Sequence, residues 1–189
     1  MTNLTMPVGT RDHVEGPEDA PVTLVEYGDY ECPYCGEAYP IVKRLQKKMG
    51  SDLRFVFRNF PLTEIHPHAL AAARAAEAAG LQSKFWEMHD LLYENQGTLE
   101  GHHLKTFAQS LELDSDPWMH AVTSSAEITI RLEEDWNSAV RSGVNGTPTF
   151  FINGVRHDAS YAYPVLLAAL QRPSVSVPQK RRKTQPKGK

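Results

Sequence analysis

Between residues 22 and 60 the chain changes its apolar period twice, and this constrains its fold more than anything else in it. Val22, Leu24, Val25 and Tyr27 are nearly continuous in apolarity, as a strand covered on both faces requires. Tyr39, Ile41, Val42, Leu45 and Met49 then recur at helical spacing among lysines. Leu53, Phe55 and Phe57 alternate with charged partners until Val56 fills the other face, which is strand period again. A strand, a helix and a strand in that order predict a parallel pair with a crossover helix, hence an α/β fold. Pro33 suits the first helical turn and Gly50 suits the stop. Pro40 lies inside the helix and is expected to kink it.

Residues 66–142 read as helices throughout. His66-Pro67 is expected to start one that carries eight alanines between Ala69 and Ala79 and closes at Gly80. Phe85, Met88, Leu91 and Leu92 mark a second, and Leu104, Phe107, Ala108 and Leu111 a third. Trp118 and Val122 suggest a shorter piece. Ile128, Leu132, Trp136 and Val140 recur every four residues along the last. The aromatic residues of this stretch are expected to form helix–helix core. TPTFFING (147–154) returns to strand chemistry, with Asn153-Gly154 as a hairpin turn signal, a short returning strand at 155–157 and a final helix from Tyr163 to Leu170. The domain boundaries that follow are an extended N-terminal arm at 1–20, an α/β domain at 21–62 and 144–172, a helical insertion at 63–143 and a disordered basic tail at 173–189.

The two cysteines of the chain, Cys32 and Cys35, fall between the first strand and the first turn of the helix. A structural zinc site needs four ligands, and neither a second pair of cysteines nor suitably spaced histidines are present. Two inert buried thiols would not explain the helix-start position. A redox couple would. Unpaired N–H groups and the positive end of the helix dipole stabilise a thiolate there, and the thiolate is the attacking species in disulfide exchange. Cys32 is then the nucleophile and Cys35 the more buried resolving thiol. Glu26 stands six residues upstream on the strand, where burial of a carboxylate is costly. It reads as a proton acceptor for Cys35, the alternative being a paired or half-exposed carboxylate.

VEYGDYECPYCG (25–36), NFPLTEIHPHALAAARAAEAAG (59–80), FWEMHDLLYENQ (85–96) and SGVNGTPTFFING (142–154) together resemble the DsbA-like thiol:disulfide oxidoreductases of the thioredoxin superfamily. The resemblance runs from about Gly16 to Leu170. It implies a thioredoxin fold, a central mixed sheet flanked by helices, interrupted by an all-helical domain. It implies that Cys32 is the exposed attacking thiol, that Pro148 is cis and faces the pair, and that Glu26 occupies the acidic position beneath it. Pro33, Tyr34 and Thr147 would tune the redox behaviour, and backbone beside Pro148 would pair with an extended substrate segment. No metal, flavin or nucleotide is implied, since the Cys32–Cys35 disulfide is itself the redox carrier. The partners implied are protein or peptide thiols and disulfides, with glutathione or a partner redox protein resetting the pair. Better-known members carry histidine where Tyr34 stands. Without that positive charge the Cys32 pKa is expected between roughly 3.5 and 7.

The formal net charge is −3. The six Lys/Arg from Pro173 onward leave fourteen cations against twenty-three anions in the rest. An acidic body of this kind is ordinary for solubility. The tail has the charge to meet nucleic acid or an anionic membrane, but a solvated end is the preferred reading. His66 and His68 read as loop and cap chemistry rather than as a polar rim of the substrate groove. The N-terminus carries no secretory pattern, which suggests a cytoplasmic protein, or a periplasmic or extracellular one if an export signal has been removed. Two rivals remain: a kappa-type glutathione transferase or isomerase, which usually has serine in place of Cys32, and a redox-independent holdase working through the helical surface.

Overall fold

The computed structural model describes residues 2–172, so the basic tail lies outside the described residues. In chain order the elements are β1 (His13–Glu15), β2 (Val22–Gly28), α1 (Pro33–Met49) and β3 (Leu53–Asn59), followed by α2 (Ala69–Gly80), α3 (Phe85–Glu94), α4 (Gly101–Ser110), α5 (Ser115–Ser124) and α6 (Ala126–Arg141). β4 (Thr149–Ile152), β5 (Val155–His157) and α7 (Tyr163–Leu170) close the chain. The sheet order is β1-β3-β2-β4-β5. β2 and β3 are parallel, with Val22 opposite Leu53 and Gly28 opposite Asn59, and the other pairs are antiparallel. This is the mixed sheet flanked by helices that the resemblance implied.

The period-two pattern sorts side chains between the faces. Leu24, Phe55, Phe57 and Phe150 join Val42 and Leu45 of α1 and the alanines of α2 in the larger core. Val25, Tyr27, Val56 and Phe151 form the smaller core on the opposite face, under the N-terminal segment. Gly28 is needed at the end of β2. A Cβ there would lie 2.4 Å from the Phe57 ring and 2.8 Å from the Tyr93 hydroxyl.

Three details differ from the sequence reading. The 1–20 segment is not only an arm: residues 13–15 pair with β3, and Asn3 bridges to Val155. α1 contains Pro40, which leaves the Gly36 carbonyl without its usual helical donor. α2 begins at Ala69, not at His66-Pro67, because the preceding turn is claimed by other partners. Asp29 accepts from Leu62 N–H at 2.8 Å and is paired with His66 Nδ1 at 2.7 Å, while Glu31 accepts from His68 N–H at 2.6 Å. On α6, Ile128 and Leu132 are buried, but Trp136 and Val140 are exposed. A four-residue repeat drifts by about 40° per step on a 3.6-residue helix, so the stripe leaves the core. Trp136 instead stacks on Phe60 at 4.3 Å.

Polar side chains are buried along the other edge of that drift. Arg58 is fully buried between Asp12, Tyr27 and the carbonyls of Met6 and Pro7. Glu77 meets His13, Asn59 and Arg131. Asp135 accepts from Asn59 N–H at 3.0 Å and pairs with Arg11. These contacts bind the N-terminal segment and α6 to the sheet.

Candidate functional site

Cys32 occupies the N-cap of α1 in extended conformation, with Pro33 the first helical residue. Its N–H donates to the Asp29 carbonyl at 3.1 Å, and its own carbonyl accepts Gly36 N–H at 3.1 Å. Gln96, just beyond α3, donates its side-chain amide to the carbonyls of Tyr30 at 2.8 Å and Cys32 at 2.9 Å. A Cβ on Gly36 would lie 1.9 Å from Gln96 Oε1, so only glycine admits this clamp. Gln96 closes the FWEMHDLLYENQ stretch. A side-chain amide aimed at two backbone carbonyls leaves no periodic trace.

The loop before β4 closes the site. The Thr147–Pro148 peptide is cis, and the Cys32 thiol donates to the Thr147 carbonyl at 3.3 Å. Tyr34 is 60% exposed at the rim. Tyr161 donates its hydroxyl to Glu37 at 2.9 Å on the other side of the helix start. His66 is held by Asp29 and His68 by its backbone to Glu31; both belong to the loop that carries Leu62.

Cys32 is only 3% exposed and Cys35 fully buried. The exposed thiol implied by the resemblance is therefore covered, because the helix start and the Thr147 carbonyl enclose it. The order of the two sulfurs stands, since Cys35 lies deeper. The Cys32 pKa is lowered to about 5, chiefly by the hydrogen bond from the Cys35 thiol. The N–H groups of Cys35 and Tyr34 add to this, and the lowering outweighs burial. The value lies inside the interval expected from the sequence. Burial pushes the Cys35 thiol well above its ordinary range, and its bond to Cys32 and the nearby Glu26 raise it further. The Asp29 N–H points at Cys35 Sγ at 3.5 Å.

Glu26 is 3% exposed in the middle of β2. Burial, and second the Cys32 charge, push its carboxyl up to about 8. Between the ordinary value of 4.5 and about 8 only the folded protein holds that proton, so this group's contribution to stability falls as pH rises through the window. Glu26→Gln is therefore expected to match the wild type in melting near pH 4 and to exceed it above pH 8, by on the order of 4 kcal/mol. Cys32, with its lowered pKa, acts in the opposite sense across an overlapping range. Comparing variant with wild type at each pH isolates the carboxyl. Identical melting curves at both ends would mean that Glu26 is not held neutral by burial.

The sequence pattern of the thioredoxin family matches residues 9–172. The chain belongs to the thioredoxin family. Within this family, its solved neighbours include DsbA-like thiol-disulfide oxidoreductases. A thioredoxin-like oxidoreductase from Silicibacter pomeroyi DSS-3 is 28% identical, with TM-score 0.77 over 85% of this chain and 91% of that one. Oxidised BdbD from Bacillus subtilis is 25% identical, with TM-score 0.75 over 89% and 96%. A curated relative, the Na(+)/H(+) antiporter NhaA 1 of Salinispora arenicola (strain CNS-205), is 50% identical over 89% of this chain. The chain spans only 26% of that relative's length, and transport is named there for the whole protein. Among the described residues no helix is long and apolar enough to cross a membrane. The mixed α/β fold of the chain is that of these two thioredoxin-like structures.

Proposed function

We propose that the chain exchanges disulfides with protein or peptide substrates through Cys32 and Cys35. The observation that carries this reading is the asymmetry of the two thiols: Cys32, at the N-cap of the helix beside the Thr147 carbonyl, is lowered to about 5, and the fully buried Cys35 is raised. A substrate disulfide would be attacked by the Cys32 thiolate, releasing one substrate sulfur as thiolate. Cys35 Sγ would then attack Cys32 Sγ, freeing the second substrate sulfur and leaving the pair oxidised. In the reverse direction a substrate thiolate attacks Cys32 Sγ and Cys35 departs. Glu26 would supply the proton to the departing Cys35, being mostly protonated at neutral pH, and would take one from Cys35 when ionised. An extended substrate segment would pair with backbone beside Thr147 and Pro148. The intact cysteine pair disfavours the kappa-type transferase.

The Cys32 pKa also bears on direction. At pH 7 a thiolate with pKa about 5 stabilises the reduced form by about 2.7 kcal/mol, or about 60 mV, relative to an unionised thiol. Interpolating between thioredoxin and DsbA on pKa places the pair at roughly −190 mV, in the range of disulfide isomerases. Equilibration with glutathione buffers, followed by quenching and mass determination, measures this potential. Failure to form any Cys32–Cys35 disulfide across those buffers would overturn the function. A potential near −270 mV or −120 mV would keep the function and reassign it to reductant or oxidant.

A further inference from the structure

The segment that carries Cys32 is held from outside its own helix. Asp29 bonds its N–H groups: the Asp29 carbonyl accepts from Cys32 at 3.1 Å and the Asp29 carboxylate from Glu31 at 2.8 Å. Gln96 bonds its carbonyls, with Nε2 donating to Tyr30 at 2.8 Å and to Cys32 at 2.9 Å. Gln96 itself sits on a fixed mount. Asn95 closes α3 by donating its side-chain amide to the Leu91 carbonyl at 2.8 Å, and the Thr98 N–H returns to the Asn95 carbonyl at 2.9 Å. The start of α1 needs such support, because Pro40 leaves the Gly36 carbonyl without a helical donor and joins the first turn to the rest by fewer bonds. Gly36 is matched to the clamp. A Cβ there would lie 1.9 Å from Gln96 Oε1 and 2.7 Å from its Cδ. Glycine inside a helix is less stable than alanine, so the space that Gln96 fills accounts for glycine at this position.

We propose that Gln96 is a positioning residue for Cys32, locking the backbone on both sides of Glu31 so that the Cys32 sulfur stays at the N-cap of α1, in front of the first-turn N–H groups. This rests on the exchange reading above and deepens it. Cys32 holds the extended N-cap conformation, with φ −71° and ψ 120°. The φ and ψ rotations of Glu31 and Cys32 all lie between the Tyr30 and Cys32 carbonyls. Holding both carbonyls to one amide group restrains the rotations that would swing the Cys32 side chain away from the helix start. The orphan N–H groups and the positive end of the dipole stabilise an anion only within that first turn, so a sulfur that swings away loses the stabilisation of its thiolate. Gln96 bonds backbone and not sulfur, and therefore acts through Cys32. It belongs to the helical stretch between β3 and β4, and the clamp makes that stretch part of the redox site rather than only a cover for it.

The test is the titration of Cys32 in the reduced protein, followed by thiolate absorbance, together with the equilibrium with glutathione, in which the pair is oxidised to its disulfide as one glutathione disulfide is reduced to two glutathiones. For Gln96→Met, which keeps length and volume without donors, the acid dissociation constant of Cys32 is expected to fall about tenfold, the effect of weakening one hydrogen bond to a charged group. The loss falls on the reduced form, so the glutathione equilibrium should move about tenfold towards the protein disulfide, making the potential about 30 mV more negative. Gly36→Ala should give the same shift, because its methyl takes the place of Gln96 Oε1, and the double variant should shift no further than either alone. A merely structural Gln96 would lower the melting temperature of oxidised and reduced protein alike and leave Cys32 titrating as in the wild type. An unmoved titration in Gln96→Met, or in Gly36→Ala should the first variant not fold, overturns the positioning role and leaves the exchange reading intact, and so do shifts that add in the double variant. A wild-type protein that forms no Cys32–Cys35 disulfide in any glutathione buffer overturns both.

Discussion

Replacing Cys32 by serine is expected to lower insulin reduction by about a hundredfold or more. The reason lies in the sulfur that survives rather than in the acidity of Cys32. At neutral pH a thiol with pKa about 5 is almost wholly thiolate, whereas an ordinary thiol near pKa 9 is about 1% ionised, a gain of about a hundredfold. Intrinsic nucleophilicity falls with pKa at a Brønsted slope of about 0.4–0.5, which cancels most of that gain over about four units. What remains is position. In the Cys32→Ser protein the surviving sulfur, Cys35, is fully buried and its thiolate is disfavoured, so a substrate sulfur cannot reach an attacking group. Cys35→Ser gives the complementary result: attack persists, the resolving thiol is gone, and a mixed disulfide at Cys32 accumulates, visible as a mass adduct removed by reductant. The lowered pKa at Cys32 shows itself elsewhere, in the stability of the reduced form and hence in the potential. Exchange at the wild-type rate in Cys32→Ser, or an absent adduct in Cys35→Ser, would refute the assignment of the two thiols.

The parts of this fold that repeat along the chain are legible in the sequence, and those that depend on one distant contact are not. β2, α1 and β3 announce themselves because burial on a sheet or helix face imposes a period on many residues at once. β1 spans three residues, His13–Glu15, too few for a period, and exists only because β3 offers it an edge. Arg58 illustrates the same limit within a strand. An arginine alternating with Phe57 reads as a solvent-facing residue, yet its carboxylate partner, Asp12, lies 46 residues earlier in the chain. At the site, the cysteines, Glu26 and Thr147-Pro148 carry motif signals. Gln96 acts through its one side-chain amide, on the carbonyls of Tyr30 and Cys32, so no spacing points to it.

Arg58→Met should destabilise the protein by about 3–5 kcal/mol, the usual cost of removing one partner from a buried ion pair. Arg58 places Nε and Nη2 on Asp12 at 2.8 and 3.1 Å, Nη1 on the Tyr27 hydroxyl at 2.9 Å and the Met6 carbonyl at 3.0 Å, and Nη2 also on the Pro7 carbonyl at 3.2 Å. Methionine supplies similar volume and no donors. It therefore leaves a buried carboxylate, a phenol and two carbonyls facing an apolar group. Asp12 resists neutralisation in the native protein because Arg58 and the Gly9 N–H hold its carboxyl below the usual range, against burial. The double variant Arg58→Met/Asp12→Leu removes the stranded charge and should recover part of the loss, giving a coupling energy of about 1–3 kcal/mol in a double-mutant cycle. Denaturant unfolding of the four proteins measures it, and additive losses would mean that the pair does not interact in solution. Because Arg58 projects from the face of β3 opposite Phe57, away from Cys35, the Cys32 titration should be unchanged in Arg58→Met below its melting transition. A Cys32 pKa that moved with Arg58 would show that the buried cluster and the thiol site are electrostatically one system rather than two joined by the sheet.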